Sequence, residues 1–404
     1  MTTTTVTVTE RRRLTAIRAA WLFDGTHPNL LPDPTLVLDG RTIVSVGSAV
    51  AVPDGATVVD LAGATLLPGL VDGHVHLIFD ASDDPVSALA GRDDAAAFAT
   101  MTSFARAAAR GGVTTVRDLG DRGYLALGVR QAATADPTLP EILAAGPPIT
   151  TPGGHCHFLG EDAAGVDGVR AAVRTRAERG VDIIKIMASG GNLTPGSRPE
   201  LPQYGLAELR AAVDEAHRYN LPITAHAHAT QAIVDGLAAG MDSFEHLTFM
   251  TTDGVDPVPD EVLAALVRQA VTVGMTVGIA PVPGAARPPG MEARMPAMIA
   301  NARRMLAAGV NMIAGTDAGI APIKPPDVIR WAIPQFQQLG MTAAEALHAC
   351  TARAATTLGL GHRKGHLRPG YDADILAVDG DPLSDPAALH AIRAVYVRGT
   401  ALTH

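Results

Sequence analysis

The sequence predicts an α/β protein with a (β/α)₈ TIM-type barrel in the middle of the chain and a small β-sandwich domain formed from both termini. The middle alternates short apolar strands with Ala-rich amphipathic helices eight times over about 290 residues. Both ends instead carry short β-branched strands between turn signals, as in RTIVSVG, ATVVDLAG, ATLLPG and HAIRAVYVRG. We therefore expect a small domain of residues 1–67 plus 364–404 and a barrel of residues 68–363, with a doubly wound sheet as the alternative.

The composition is that of a globular, enzyme-sized chain. Its 404 residues are 47% hydrophobic and 18% charged, with a net charge of −9. An acidic chain is a poor partner for nucleic acid, and the basic residues 11–13 lie in a Thr-rich end that we expect to fray. The apolar runs, such as residues 66–70, are far shorter than the roughly 20 residues that a membrane span needs. The composition therefore argues against nucleic acid and a membrane as partners, and a homo-oligomer is left open.

The cysteine content predicts a reducing compartment. Cys156 and Cys350 are too few for a disulfide framework, so we expect a cytoplasmic protein. The N-terminal segment contains Arg18 and Asp24 before any adequate apolar stretch, and we read no signal peptide in it.

The eight predicted barrel strands are residues 70–76, 114–117, 141–145, 183–188, 223–226, 242–246, 275–279 and 311–316. A helical stretch follows each strand, as at 206–219, where Leu206, Leu209 and Val213 recur at helical spacing. The loops after strands 1, 3, 4, 7 and 8 are long and rich in Gly and Pro, whereas the turns on the opposite side are tight. Because barrel active sites form at the carboxyl ends of the strands, we expect the functional site on the face with the long loops.

A pair of histidines ends the first predicted strand in VDGHVHL. His74 and His76 are two residues apart, so on a strand their side chains point the same way. Two neutral imidazoles on one side favour a metal site. The alternative is an ordinary solvated loop, which the apolar strand before the pair disfavours.

Lys185 stands in the fourth predicted strand between Ile184 and Ile186, where a bare ammonium group is costly to desolvate. Three interpretations are open. The lysine could pair with a buried carboxylate, or its charged end could extend to the surface. Alternatively, a lowered pKa could leave the amine nucleophilic, so that it captures carbon dioxide and becomes a carbamate that bridges two cations.

Three further strand ends carry polar residues. His226 and His228 end the fifth strand in ITAHAHAT and share a face, so either could be a metal ligand. His246 ends the sixth strand in SFEHL. Asp317 ends the eighth in AGTDAG, where it could bind metal and accept a proton from water, although a helix N-cap is the commoner role for such an Asp.

Together these motifs resemble the amidohydrolase superfamily, and within it the imidazolonepropionase-like and Xaa-Pro-dipeptidase-like (prolidase-type) metal-dependent enzymes. The likeness covers nearly the whole chain, including TTVRDLG, TPGGHCHF, IKIMASGG and RPGYDADILAVDGDPL. It implies two divalent metal ions, Zn²⁺ by default, with His74 and His76 on one, His226 and His246 on the other, and a carbamylated Lys185 bridging both. Imidazolonepropionases are mononuclear and lack this lysine, so Lys185 favours the dipeptidase-like branch.

The resemblance also implies roles for other residues. Asp317 would bind the first metal and act as the catalytic base. His155 and Tyr204 would take catalytic and substrate-binding roles, and His228 would line the substrate pocket. For Tyr204, plain aromatic packing is an equal alternative. His157 is expected to pack within its loop.

The function implied by the resemblance is hydrolysis of an amide C–N bond in a small molecule, such as a dipeptide or N-acyl amino acid, by a hydroxide that bridges the metals. The alternatives are hydrolysis of a cyclic amide, lactone, carbamate or phosphoester at the same metal centre, or a non-catalytic metal- or metabolite-binding paralogue. The candidate anchors for a substrate carboxylate, each of which could simply be solvated, are Arg117, Arg122, Arg198, Arg287 and Lys324.

Overall fold

The computed structural model describes residues 14–285 and 290–402. The strands in these ranges are β1 (Leu14–Leu22), β2 (Leu31–Pro32), β3 (Thr35–Asp39), β4 (Thr42–Gly47), β5 (Thr57–Pro68), β6 (Leu70–Val75), β7 (Val113–Asp118), β8 (Glu141–Ala144), β9 (Ile184–Met187), β10 (Ile223–Ala229), β11 (Ser243–Met250), β12 (Thr272–Met275), β13 (Asn311–Ala314), β14 (Ile375–Asp379), β15 (Ile392–Val397) and β16 (Thr400–Leu402).

The helices alternate with the central strands. They are α1 (Pro85–Ala90), α2 (Asp94–Arg110), α3 (Leu125–Ala135), α4 (Gly165–Arg179), α5 (Leu206–Arg218), α6 (Thr230–Ala239), α7 (Asp260–Arg268), α8 (Met291–Ala307), α9 (Ala332–Leu339), α10 (Ala343–Ala349) and α11 (Ala352–Thr357). In α5, Leu209, Val213 and Ala216 recur at helical spacing and are buried. Within the described ranges, no helix is both long and apolar enough to cross a membrane.

Strands from the two ends of the chain form one eight-stranded sheet. Its order is β16-β15-β14-β5-β1-β3-β4, with β2 paired to β1. β5 is a single strand, whereas the sequence predicted separate strands at ATVVDLAG and ATLLPG, so that prediction is wrong. Gly63, between the two segments, takes a φ of 83°, which glycine adopts without steric cost, and the strand continues through it.

The central strands form two parallel sheets, β6-β7-β8 and β13-β12-β11-β10-β9. Backbone hydrogen bonds connect the sheets at both ends. Asp317 N donates to His74 O at 2.7 Å beside β6, and Ile149 N donates to Lys185 O at 2.8 Å beside β9. The observed α/β fold with parallel sheets agrees with the predicted fold class at this level.

The seventh central strand lies three residues earlier than predicted. β12 covers Thr272–Met275, whereas the sequence analysis placed the strand at 275–279, so that prediction is wrong. The strand requires glycine at position 274, because a Cβ on Gly274 would lie 2.0 Å from Oε2 of Glu245. Gly278 has a φ of 82°, which ends the extended conformation inside the predicted range.

A buried ionic network joins the parallel sheet to the terminal sheet. Lys364 is 2% exposed, and its Nζ contacts Asp374, lies 3.2 Å from Glu141 Oε2 and 3.3 Å from Asp372 Oδ2. Arg363 binds the carboxylates of Glu141 and Asp372. Since Glu141 begins β8 and Asp374 precedes β14, the network fixes the two sheets to each other.

Removing the central cation of this network should destabilise the fold. We expect Lys364→Ala to lower the free energy of unfolding by about 3–5 kcal/mol, because it leaves the buried carboxylate of Asp374 without its counter-charge. Urea unfolding followed by circular dichroism measures this. The control is Arg393→Ala, which removes a half-exposed ion pair with Asp379 and should cost about 0–1 kcal/mol. Equal losses in the two variants would contradict the proposed role of the network.

Candidate active site

Buried polar side chains gather at the carboxyl ends of the parallel strands. None of them is more than 8% exposed. These side chains belong to His74 and His76 around the end of β6, His155 in the loop after β8, Lys185 in β9, His226 and His228 in β10, His246 in β11, and Asp317 after β13. We call these eight residues the polar cluster.

One part of the polar cluster could hold a metal ion. His74 Nε2 and His76 Nε2 are 3.2 Å apart, and they lie 3.5 and 3.3 Å from Asp317 Oδ1. His76 Nδ1 lies 3.1 Å from the carbonyl of Gly120, which can only accept, so in the neutral ring Nδ1 carries the hydrogen and Nε2 a lone pair. A carboxylate oxygen and imidazole lone pairs that converge in this way match the donor set of a divalent metal.

A second part comprises His226, His228 and His246, whose ligand atoms also lie within 4.8 Å of one another. One nitrogen of each ring lies within hydrogen-bond distance of a protein oxygen. His226 lies 3.0 Å from Gly190 O, His228 lies 2.8 Å from Thr248 Oγ1, and His246 lies 2.6 Å from Thr276 Oγ1. The other nitrogen of each ring is left for a ligand, and such outer hydrogen bonds orient metal-binding imidazoles. The geometry therefore keeps both His226 and His228 as candidate ligands on β10.

Lys185 lies beside the first of these groups. Its Nζ is 3.5 Å from His74 Nε2 and the residue is 1% exposed, so the interpretation in which the lysine extends to the surface is wrong. Burial lowers the pKa of Lys185 to about 8, although Glu245 and Asp317 oppose the shift. No ion pair joins its amine to a carboxylate in the part of the chain that the structure describes.

The backbone of β11 brings two adjacent side chains to the polar cluster. In a regular strand Glu245 and His246 would face opposite sides. His246 has a φ of 73° and Leu247 a φ of 49°, and these left-handed conformations break the alternation. As a result the His246 ring lies 5.3 Å from the His74 ring, while Glu245 Oε2 lies 3.2 Å from His74 Nδ1.

Glu245 is a site residue that the sequence analysis missed. It is fully buried, and its Oε1 accepts from Arg117 and from Thr224 Oγ1, both at 2.9 Å. Burial alone would raise the pKa of Glu245, but Arg117 and His74 hold it at about 2. The carboxylate therefore stays charged beside His74. The signal was present in SFEHL, where a charged residue interrupts an apolar strand.

Asp72 is a second missed residue. Its Oδ1 accepts from the backbone N–H groups of His74 at 3.2 Å and Thr316 at 3.0 Å, and its Oδ2 accepts from Thr316 Oγ1 at 2.5 Å. Burial raises the pKa of Asp72 to about 6. The side chain ties the end of β6 to the segment that carries Asp317, which has a left-handed φ of 64°.

The loop residues reach the polar cluster unequally. The His155 ring lies 4.8 Å from the His226 ring, and it has this space because Gly191 carries no side chain. Tyr204 donates its hydroxyl to Ala163 O at 2.8 Å, and no described contact joins it to the polar cluster. His157 is exposed at the start of a short 3₁₀ helix, whereas the sequence analysis expected it to pack within its loop.

The cations suggested as carboxylate anchors are mostly engaged elsewhere. Arg117 donates to Gly73 O and Glu245, and Arg122 donates to Arg92 O and Asp94. Arg198 donates to Glu200, and Lys324 donates to Gly278 O. Arg287 lies outside the described residues. Arg117 binds the carboxylate of Glu245, and it is too buried to bind the carboxylate of a substrate.

Imidazole and carboxylate groups that converge at the carboxyl ends of parallel strands are typical of metal-dependent enzymes. Residues 65–402 match the amidohydrolase family, and the chain belongs to that family. It is thus a hydrolase, as the sequence resemblance implied.

Known proteins similar to this chain include enzymes and solved structures. It is 28% identical to ochratoxinase of Aspergillus niger, over 96% of this chain and 85% of that protein. It is 25% identical to imidazolonepropionase of Streptomyces avermitilis, over 88% of this chain and 83% of that protein. A Xaa-Pro dipeptidase with methionine bound in its active site superposes with a TM-score of 0.85 at 27% identity, covering 97% of this chain and all of the other.

The contact of Glu245 with His74 predicts an effect on metal binding. Glu245→Gln removes the charge that faces His74 Nδ1, and losses of about 10–100-fold in metal affinity are typical for such partners. Competition with a chromophoric chelator measures the affinity, and circular dichroism checks the fold. The control is Glu215→Gln on α5, which also removes a buried carboxylate paired with arginines but lies outside the polar cluster. Unchanged metal affinity in Glu245→Gln would contradict the role assigned to Glu245.

Proposed function

We propose that this protein is a metal-dependent amidohydrolase that cleaves the amide C–N bond of a small molecule, such as a dipeptide or an N-acyl amino acid. The observation that carries the proposal is the pair of buried ligand groups around Lys185, one of which contains Asp317. The similarity to a Xaa-Pro dipeptidase, and to a prolidase solved with N-methylphosphonate-L-proline at a TM-score of 0.83 and 26% identity, supports a dipeptide-like substrate.

The two ligand groups fit two divalent metal ions. His74, His76 and Asp317 would hold one, and His226 and His246 the other, with a carbamate on Lys185 between them. Zn²⁺ suits such imidazole and carboxylate ligands. When bound, these ions would polarise the scissile carbonyl and lower the pKa of a water molecule. His228 is assigned to the substrate, although its free nitrogen makes it an alternative ligand to His226.

The side chains of the protein would then divide the remaining work. Asp317 accepts the proton of the attacking water and delivers it to the leaving amine, as a general base and then a general acid. His155 and His228 hold the substrate beside the polar cluster, and burial keeps bulk water away from the reacting groups. The role of Tyr204 stays a prediction, because its hydroxyl must leave Ala163 O before it can reach a substrate.

The surroundings of Lys185 support a carbamate on its amine. The neutral amine attacks carbon dioxide, an N–C bond forms, one proton leaves to solvent, and the product carries a negative charge. Complete burial, the lowered pKa of about 8 and the lack of a described ion pair all favour the neutral amine. An ammonium group has no lone pair and could not be a ligand.

We also propose that the parallel strands close into a barrel and that the two ends of the chain form a separate small domain. The hydrogen bonds that connect the two parallel sheets support a closed (β/α)₈ barrel of residues 68–363. Residues 1–67 and 364–404 would form the small β-sandwich domain. Free, buried Cys156 and Cys350 are compatible with the proposed cytoplasmic location.

The proposed function is tested by amine release from dipeptides and N-acyl amino acids, using enzyme with measured metal content. We expect Asp317→Asn to lower turnover at least about 10²-fold, because the amide cannot accept the proton. Asp235→Asn, which changes a partly exposed carboxylate on α6 outside the polar cluster, is the control and should leave turnover unchanged. Metal-loaded enzyme that cleaves no member of the panel would overturn the proposal, and a fully active Asp317→Asn would assign the base elsewhere.

The carbamate is tested by Lys185→Ala. This variant should bind metal poorly and be inactive, and added short carboxylic acids should restore part of the activity by replacing the missing carboxylate. Lys185→Arg keeps a cation and fills the space, so the same acids should not rescue it. Carbon-13 NMR of wild-type enzyme prepared with labelled bicarbonate should show a carbamate signal that both variants lack. Full activity and metal content in Lys185→Ala would count against a bridging role.

A further inference from the structure

Arg294 lies beside the polar cluster and belongs to none of the motifs in the sequence analysis. It stands in the first turn of α8 and is partly buried. Its Nη2 donates to Thr251 O at 3.2 Å. Thr251 directly follows β11, the strand that carries Glu245 and His246, so the guanidinium is held at the carboxyl end of that strand.

One other group lies close to the charge of Arg294. Arg294 helps to lower the pKa of Glu200, where burial has the opposite and larger effect. Glu200 lies in the loop after β9, and Thr251 lies directly after β11. The guanidinium therefore lies at the carboxyl ends of these parallel strands, where the polar cluster is found.

Most of the hydrogen-bonding capacity of Arg294 is unused within the described residues. A guanidinium has five N–H donors, and the structure gives only one of them a partner, the Thr251 carbonyl. No described carboxylate forms an ion pair with it. Arg117 and Lys324, by contrast, are almost fully buried and bound to protein groups. Arg294 is thus a cation at the site with donors left for a ligand.

We propose that Arg294 binds the carboxylate of the substrate and makes the enzyme selective for amides whose leaving amine is an α-amino acid. The inference rests on the proposed function and deepens it. In a dipeptide or N-acyl amino acid, the carboxylate is separated from the scissile nitrogen by a single carbon atom, so its anchor must lie next to the reacting groups. A planar guanidinium can hold a carboxylate with two parallel hydrogen bonds.

Matched substrate pairs test this assignment. Alanyl-proline is compared with alanyl-pyrrolidide, and N-acetyl-L-leucine with N-acetyl-3-methylbutylamine, since the second member of each pair lacks only the carboxylate. Wild-type enzyme should prefer the acids. Arg294→Gln should lower kcat/KM for the acids about 10–100-fold, mainly through KM, and leave the analogues unchanged. Arg294→Lys keeps the charge and should retain part of the preference.

The matched control is Arg303→Gln on the same helix, whose guanidinium donates to Gln338 O away from the site. This variant should leave kcat/KM unchanged for both members of each substrate pair. Equal losses for acids and analogues in Arg294→Gln would mean that Arg294 only supports the chain at Thr251, and would overturn the inference. The inference would also be overturned if the ratio of kcat/KM for the acid to kcat/KM for the analogue were the same in Arg294→Gln as in wild type.

Calorimetric titration separates a failure of this inference from a failure of the proposed function. L-Leucine and 3-methylbutylamine are titrated into metal-loaded wild type and Arg294→Gln, a measurement that needs no turnover. If wild type cleaves neither pair but binds L-leucine in an Arg294-dependent way, the proposed function fails and the carboxylate site stands. If L-leucine binds both proteins equally, or binds neither, the carboxylate site is refuted.

Discussion

The buried carboxylate of Glu245 is the interaction on which the architecture of the site depends. Strands from both parallel sheets supply its neighbours, with Arg117 from β7 and Thr224 from β10. Gly274 in β12 leaves the space that it occupies, since a Cβ there would lie 2.0 Å from Oε2 of Glu245. A carboxylate buried this deeply is tolerable only when its charge is compensated. The sheets must therefore assemble around it in one register, and that register brings His74 and His246 together.

Backbone strain gives the site its second constraint. His246 and Asp317 both have left-handed φ values, and each such residue costs on the order of 1–3 kcal/mol. The hydrogen bonds of Asp72 to Thr316 hold the segment that carries Asp317 in this conformation. The strain allows ligands to come from consecutive or irregular positions, which ordinary strands would direct to opposite faces. The convergence of imidazoles and carboxylate is thus imposed by the surrounding fold.

Local patterns predicted most of the central strands, because apolar runs of β-branched residues identify parallel strands buried on both faces. They also marked Lys185, whose charge interrupts such a run. Glu245 carries the same signal, but its partners Arg117 and Thr224 are far away in sequence, so no local pattern identifies its role. The shift of β12 has a similar origin, since TVGMTVGI offers two equivalent strand patterns and only the fit against Glu245 selects the first. Arg294 belongs to no motif, and only the folded chain, through neighbours such as Thr251, places it at the site.

The terminal sheet has a consequence for synthesis of the chain. β5 pairs with β14 through contacts such as Pro68 with Ile375, so one edge of the N-terminal strands stays open until the C-terminal strands exist. The separation is roughly 300 residues, which at about 5–20 residues per second corresponds to on the order of 15–60 s on the ribosome. An unpaired strand edge is a template for wrong association during that interval. Folding yield in the cell should therefore depend on translation speed and on chaperones more than the stability of the finished protein suggests.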